Sequence, residues 1–491
     1  DPGTANGQIL EDLNNGASGI ALLFPGAVGE CGYALPADAD AIGAALEGVH
    51  LEWGVPLELQ LGANAAAVAT SVAGLVESRD LPANHTNIRF GFDPIGVLAA
   101  KGATDASPED VAVLAKDLSA RGFKGRFAAA DGRPVHEAGG TEAQELAFAL
   151  ASAIAYLRAF EAAGIALDEA RRMIFFRLAA DQNQFLTTAK FRALRKLWSR
   201  IEEACELIPE PAFVTGETAW RMMTKRHAQG NIVRGTIATL AAAVGGANAV
   251  TVLPYTAALG LPEAFARRVA RNTQSVLLEE SNLYRVADPA AGSGALEALT
   301  SELCAKAWRL FQKFEEAGGV LKVLEGGLFQ DAVGETRDAR ESAMAQRKES
   351  LIGTSEFPDL GEDDLDVMDV PPAPAKTGAQ AVTPLKPMRL GEPFEELRDR
   401  SDALLEKTGA RPKIFLACLG RPADFNVRAA FAKSLFEAGG IEAIAATSEK
   451  TLPETIEGFR ESGASLACLC SSDKVYASDG AEAAKALKDA G

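Results

Sequence analysis

Charged and polar residues occupy strand-like runs of this chain where a buried strand is usually apolar throughout. Glu58 and Gln60 share one face of the run Leu57–Leu61, and Arg89 and Asp93 share one face of the run that begins at Ile88. Arg177, Thr215, Glu217 and Thr251 add polar positions on later runs. Two readings follow from elementary electrostatics. The side chains line a polar channel that admits a ligand, which makes Arg89, Asp131, Arg133, His136 and Glu217 the candidate pocket residues. Alternatively they pair with one another, as buried ionised groups must, and Arg89 or Arg177 joined to Glu58 plugs the channel. The plug is the preferred reading. Asp93 and Glu217 are expected at strand ends, facing water. Metal and Schiff-base chemistry find no support. His50, His85, His136 and His227 show no metal-ligand spacing, and no run ends in a lysine placed as a nucleophile.

These residues need a scaffold, and 491 residues allow two to four domains. An apolar fraction of 47% and a charged fraction of 24% are ordinary for a globular protein. With 49 Lys and Arg against 67 Asp and Glu, the net charge is −18. That balance argues against nucleic acid and against an anionic membrane surface as partners. Cys31, Cys205, Cys304, Cys418, Cys468 and Cys470 lack the spacing of a disulfide framework. The last three sit in apolar strand-like runs and read as buried free thiols, so a reducing, cytoplasmic setting is expected.

From residue 1 to about 260, strand-like and helix-like segments alternate. Strands are expected at Gly19–Phe24, Leu57–Leu61, Ile88–Phe92, Arg126–Ala130, Ile174–Leu178, Phe213–Gly216 and Ala249–Leu253. Helices of ordinary length separate them, which implies parallel strands and a (β/α) barrel of the eight-strand TIM type. Because the chain opens on a helix, the first strand is expected upstream of Asp1. An open doubly wound sheet is the weaker alternative, since no glycine-rich phosphate loop follows an early strand. Residues 261–350 read as a helical extension packed on the barrel, broken near Gly318-Gly319 and Gly326-Gly327. Residues 351–392, containing GEDDLDVMDVPPAPAK, read as an acidic, proline-rich linker, extended and poorly packed. Residues 393–491 alternate again and predict a partial doubly wound α/β domain, incomplete at its C-terminal end.

The stretch Arg268–Gly294, RVARNTQSVLLEESNLYRVADPAAGSG, resembles the signature segment of the methylmalonyl-CoA mutase family without a gap. There Arg-x-Ala-Arg-Asn-Thr leads through a Glu-Glu pair to Asp-Pro-x-x-Gly-Ser. ILEDLNNGASGIALLF near the start is similar to an early helix and strand of that family. Ala189–Trp198 and Asn231–Pro262 resemble two later segments, in the family's order. The resemblance implies an acyl-CoA barrel followed by a cobalamin-binding domain, and an adenosylcobalamin-dependent interconversion of methylmalonyl-CoA and succinyl-CoA.

The resemblance breaks at two sites. Catalytic members carry a Tyr-His pair just before Gln-Glu-Ala-Gly at a strand end. Here the stretch is ADGRPVHEAGG, so Arg133 stands at the Tyr and Pro134 at the His. Proline offers no proton. His136, two places on, is expected to aim elsewhere. Catalytic members also carry Asp-x-His-x-x-Gly, whose His ligates cobalt. In LGRPADFNVRAAFAKSLFEAGG the corresponding residues are Pro422, Asp424 and Val427, and Val427 would crowd a loop meant to admit the corrin tail. Ser471 and Ser472 resemble the serine of a later Ser-x-Leu motif and are the candidate cofactor contacts. Together these imply the small subunit of a heterodimer, inactive alone, whose large catalytic partner holds adenosylcobalamin and acyl-CoA. Competing readings are an active mutase with substituted residues, an unrelated barrel enzyme such as an aldolase, and a regulatory or chaperone role.

Overall fold

The computed structural model describes residues 1–373, 379–445 and 451–490. It is an α/β structure with parallel sheets, and the chain divides into two compact units. The first comprises Asp1–Met222, Ile232–Arg340 and Asp366–Arg389, and the second Met223–Asn231, Glu341–Leu365 and Leu390–Gly491.

All seven strands expected in the first unit are present: β1 (Ile20–Leu23), β2 (Pro56–Gln60), β3 (Asn87–Arg89), β4 (Ala128–Asp131), β5 (Ile174–Ala180), β6 (Val214–Thr218) and β7 (Ala249–Thr251). They pair in parallel and in sequence order as β1-β2-β3 and β4-β5-β6-β7. A parallel bridge between Phe92 and Ala128 joins the two sheets. Stacked and edge-on rings of Phe90, Phe123 and Phe127, with centroids 5.4 and 5.7 Å from Phe90, fill the space at that junction. The intervening helices start where their caps dictate. Ser107 with Asp110, and Thr141 with Gln144, form reciprocal capping boxes at Pro108–Ala120 and Glu142–Ala162.

Three short helices of the first unit have no counterpart in the periodicity, Pro94–Lys101, Arg133–Glu137 and Leu167–Ala170. Asp93 creates the first of them. Its Oδ1 accepts the Gly96 N–H at 3.0 Å, proline fills the first turn, and Gly102 closes the helix at φ 80°. Asp93 is therefore a buried cap that also accepts the Tyr156 hydroxyl at 2.9 Å, and not the water-facing residue expected.

Three helices, Gly294–Glu316, Val320–Gly326 and Leu328–Ala345, follow the signature stretch. Gly318 and Gly319 break them with φ of 98° and 93°. They pack on Glu142–Ala162 and Gln184–Ala204. The helix expected over Glu263–Leu278 runs as α-helix only over Ala264–Ser275, then widens into a π-turn, Val276–Glu280.

Residues 356–373 are largely exposed and form no helix or strand, but the expectation of poor packing does not hold at the two ends of residues 351–392. Val382, Leu385 and Met388 are buried in the first unit, and Leu351, Thr354 and Ser355 are buried in the second. Composition counts only average hydrophobicity. It misses a segment whose backbone pairs with other loops. Here Met368 N–H bonds Leu261 O, Ala373 N–H bonds Gly32 O, Leu385 N–H bonds Ala99 O and Met388 N–H bonds Glu137 O, at 2.7–2.9 Å. Part of the acidic and proline-rich run, 374–378, lies outside the described residues.

The second unit holds β8 (Lys413–Cys418), β9 (Glu442–Ala445) and β10 (Ala467–Cys470) in the order β10-β8-β9. The helix Pro422–Ala438 covers one face through Phe425 and Ala432. The other face packs Phe415 against Phe459. Cys418 and Cys470 are buried and Cys468 half-buried, all as free thiols. No helix among the described residues is long and apolar enough to cross a membrane.

Candidate functional site

Strand register brings the polar residues of the first unit together. Glu58 on β2 stands beside Arg89 on β3, and Asp131 on β4 beside Arg177 on β5. Arg89 Nε lies 3.0 Å from Glu58 Oε2, and Arg177 Nε lies 2.8 Å from Glu58 Oε1. Burial pushes the Glu58 carboxyl up, but Arg177 and Arg89 outweigh it and hold it below the usual carboxylate range.

Arg133 completes the group. Its guanidinium donates to Asp131 Oδ2 at 2.6 Å, to Glu217 Oε1 at 2.7 Å and to Gln60 Oε1 at 3.0 Å. Gln60 Nε2 in turn donates to Glu217 Oε2 at 3.2 Å. Three carboxylates, Glu58, Asp131 and Glu217, thus face three guanidiniums, Arg89, Arg133 and Arg177. Burial alone would weaken the charge on Arg133, yet Asp131 and Glu217 fix it more firmly than in water. The loop after β1 lies directly over the group. A Cβ at Gly29 would stand 3.1 Å from Gln60 Oε1 and 3.3 Å from Arg133 Nη1.

Four of the five sequence-predicted pocket residues, Arg89, Asp131, Arg133 and Glu217, therefore meet in one cluster, and Glu217 points into it instead of toward water. His136 does not join them. It is fully buried, with Nε2 3.1 Å from Asp181 Oδ2 but out of line for a full hydrogen bond. Burial first, then the cations Arg221 and Lys190, hold its imidazole well below the ordinary range, so it stays neutral. Asp181 is taken by Arg221 at 2.6 Å. Arg221 also donates to the His136 and Gly140 carbonyls at 3.0 and 2.9 Å, fixing the C-terminal end of the short helix that carries Pro134 and the turn after it. Arg340 bonds the Gly139 carbonyl at 2.9 Å. A second buried pair, Lys190 with Glu145 at 2.5 Å, was hidden in the sequence by two helices with mostly apolar neighbours. Glu137 sits near the cluster without an ion-pair partner among the described residues, and burial raises its carboxyl to about 8.

In the second unit the strand order reverses between β8 and β10, the place where ligands of doubly wound sheets bind. The residues there are occupied by one another. Ser471 is buried and its Oγ donates to Leu419 O at 2.6 Å. The Tyr476 hydroxyl takes the Ser471 N–H and donates to Leu469 O, both at 2.9 Å. Ser472 Oγ lies 3.4 Å from Asp424 Oδ1, and Asp424 Oδ2 accepts the Arg421 N–H at 3.1 Å. Asp424 is thus a helix cap. Val427, expected to crowd a loop, lies instead within the helix Pro422–Ala438 with its side chain 82% exposed. Proline at the first turn and Asp424 as the cap let that helix start almost directly after β8.

A parallel α/β strand array with a closed charge cluster and a following doubly wound unit agrees with the comparison to known proteins. The methylmalonyl-CoA mutase model matches residues 21–407, and the chain belongs to that family. Among its relatives, the methylmalonyl-CoA mutase small subunit of Streptomyces virginiae is 42% identical over 492 residues, covering 100% of this chain and 77% of the relative. The small subunit of Propionibacterium freudenreichii subsp. shermanii is 38% identical, covering 98% of this chain and 73% of the relative. Similarity to the Rhizobium meliloti protein named simply methylmalonyl-CoA mutase, 32% identical, covers only 56% of this chain. The resemblance implies an imidazole as the cobalt ligand at this point of the fold. The residues at this switch point supply a capping carboxylate and a buried serine already bonded to protein, and they do not fit that role.

Proposed function

We propose that this chain is the non-catalytic small subunit of an adenosylcobalamin-dependent methylmalonyl-CoA mutase, pairing with and stabilising a larger catalytic subunit. One observation carries the reading. Arg133, at the position of a catalytic tyrosine, is spent on Asp131, Glu217 and Gln60, and the adjoining Pro134 offers no proton. A substrate entering along the strands would have to break a neutralised buried cluster, which costs several kcal/mol per stripped ion. The partner subunit, in this reading, holds the cofactor and the acyl-CoA. The complex is cytoplasmic.

The first unit is read as a (β/α) barrel of the eight-strand type. Its strands follow in order. β1 pairs only with β2 and β7 only with β6 among the described residues, and every residue of β7 is half-exposed. Parallel strands in sequence order with two unpaired edge strands support the barrel reading. Residues 1–260 as barrel, 261–350 as helical extension and 393–491 as a degenerate cobalamin-type domain complete the proposed organisation. Ser471 and Ser472 serve it as structural ties.

The test is an assay of adenosylcobalamin-dependent conversion of methylmalonyl-CoA to succinyl-CoA by this chain alone, by a large subunit alone and by both co-expressed. Turnover appears only when the large subunit is present, and its yield or lifetime rises with this chain. Turnover by this chain alone overturns the reading.

A further inference from the structure

A cavity of about 520 Å³ lies within the second unit, at the end of its sheet away from the switch point. Lys413 and Glu442, the first residues of β8 and β9, both line it. They are register partners on parallel strands, so their side chains leave the same face about 5 Å apart. Neither forms an ion pair or a side-chain hydrogen bond among the described residues. The other charges around the cavity are committed. Arg411 donates to Ser401 Oγ at 3.2 Å and to the Leu360 carbonyl at 3.3 Å, and it pairs with Asp402. Lys433 Nζ stands 3.9 Å from Glu437 Oε1, and Asp359 Oδ1 accepts the Gly361 N–H at 2.8 Å. Burial raises the Glu437 carboxyl against the pull of Lys433, and the charges of Asp359 and Glu442 add to the rise. That corner gains from a cation. The helices Glu392–Thr408 and Pro422–Ala438 also reach the cavity by their C-terminal ends, at Gly409 and Glu437, which favours a cation again. Lys413 beside it offers the one uncommitted cation to an anion.

We propose that this cavity binds a free α-amino acid with an apolar side chain, its carboxylate on Lys413, its ammonium on Glu442 and its side chain against Leu360 and Leu405. The two charged groups of such a molecule share one carbon, which matches two opposite charges on neighbouring strands. An ω-amino acid holds its charges too far apart. A phosphate would face three carboxylates, and a polyamine would face Lys413 and Lys433. The volume falls within the range of small-molecule sites and leaves room for a side chain beyond the charged groups.

The full chain and its Lys413→Met and Glu442→Gln variants are titrated with L-leucine, L-leucinamide, 4-methylpentanoate and 6-aminohexanoate, following thermal midpoint and binding heat. L-Leucine raises the midpoint of the wild-type chain. Leucinamide, which lacks the carboxylate, and 4-methylpentanoate, which lacks the ammonium, bind at least tenfold more weakly, as does 6-aminohexanoate, whose charges are far apart. Each variant loses at least tenfold in affinity for leucine. Should a variant fail to fold, the ligand series on the wild-type chain decides by itself. No midpoint shift in millimolar leucine, equal affinity for leucinamide or 4-methylpentanoate, or unchanged leucine affinity in either variant overturns the proposal.

Discussion

Arg133 shows how one side chain closes a site. Its guanidinium is taken up by three acceptor residues, Asp131, Glu217 and Gln60. Removing it strands Asp131 and Glu217 in a buried place, so Arg133→Met should cost about 3–5 kcal/mol of unfolding free energy by denaturant titration. A loss under about 1 kcal/mol would mean that the cluster is not a plug. The carboxyls that burial raises make a second prediction. Asp93, through burial and then the Asp131 charge, and Glu137, through burial first, hold protons to about 7 and about 8, against 3.8 and 4.5 ordinarily. The folded state then binds more protons than the unfolded chain between those values, so stability falls as pH rises through the window, by about 1.4 kcal/mol per pH unit for each group still protonated. Thermal midpoints should decline from mildly acidic pH toward pH 8. Glu137→Gln should flatten the decline, and an unchanged slope would place the cause elsewhere. The pairing of Glu58 with Arg89 or Arg177 was legible from their shared strand faces. The fate of His136 was not, because Asp181 and Arg221 come from distant segments. Asp93 misled because a strand-end acid followed by proline was read as solvent-facing, when Asp-Pro is also a helix-start signal.

At the scale of elements, every strand was readable from apolar runs bounded by turns, since strand identity is local. The packing of residues 366–389 was not, since its backbone partners Leu261, Gly32, Ala99 and Glu137 are scattered. Leu385 is buried there, so Leu385→Ala should cost about 2–5 kcal/mol and speed proteolysis within that segment. Protease resistance equal to wild type would show that the segment is dispensable. The tie between β8 and β10 makes a smaller prediction. Ser471→Ala strands a buried Leu419 carbonyl and should cost about 1–3 kcal/mol in chemical denaturation of the chain. A neutral effect would reopen Ser471 as a ligand contact.

At the scale of the whole molecule, the two units are not consecutive pieces of sequence. The chain leaves the first unit at Met222, contributes Met223–Asn231 to the second, returns at Ile232, leaves again after Arg340, and returns once more for Asp366–Arg389. A nascent chain cannot finish its first unit until residue 389 has cleared the ribosome, and by then parts of the second are already made. Segments so far apart raise the loop-closure entropy of folding and slow it. Conventional fragment boundaries near residue 350 would remove a piece that the first unit needs. The smallest autonomous fragment holding the charge cluster should therefore end after Arg389, and this protein should emerge from synthesis as one late, nearly concerted folding event instead of two beads completed in turn.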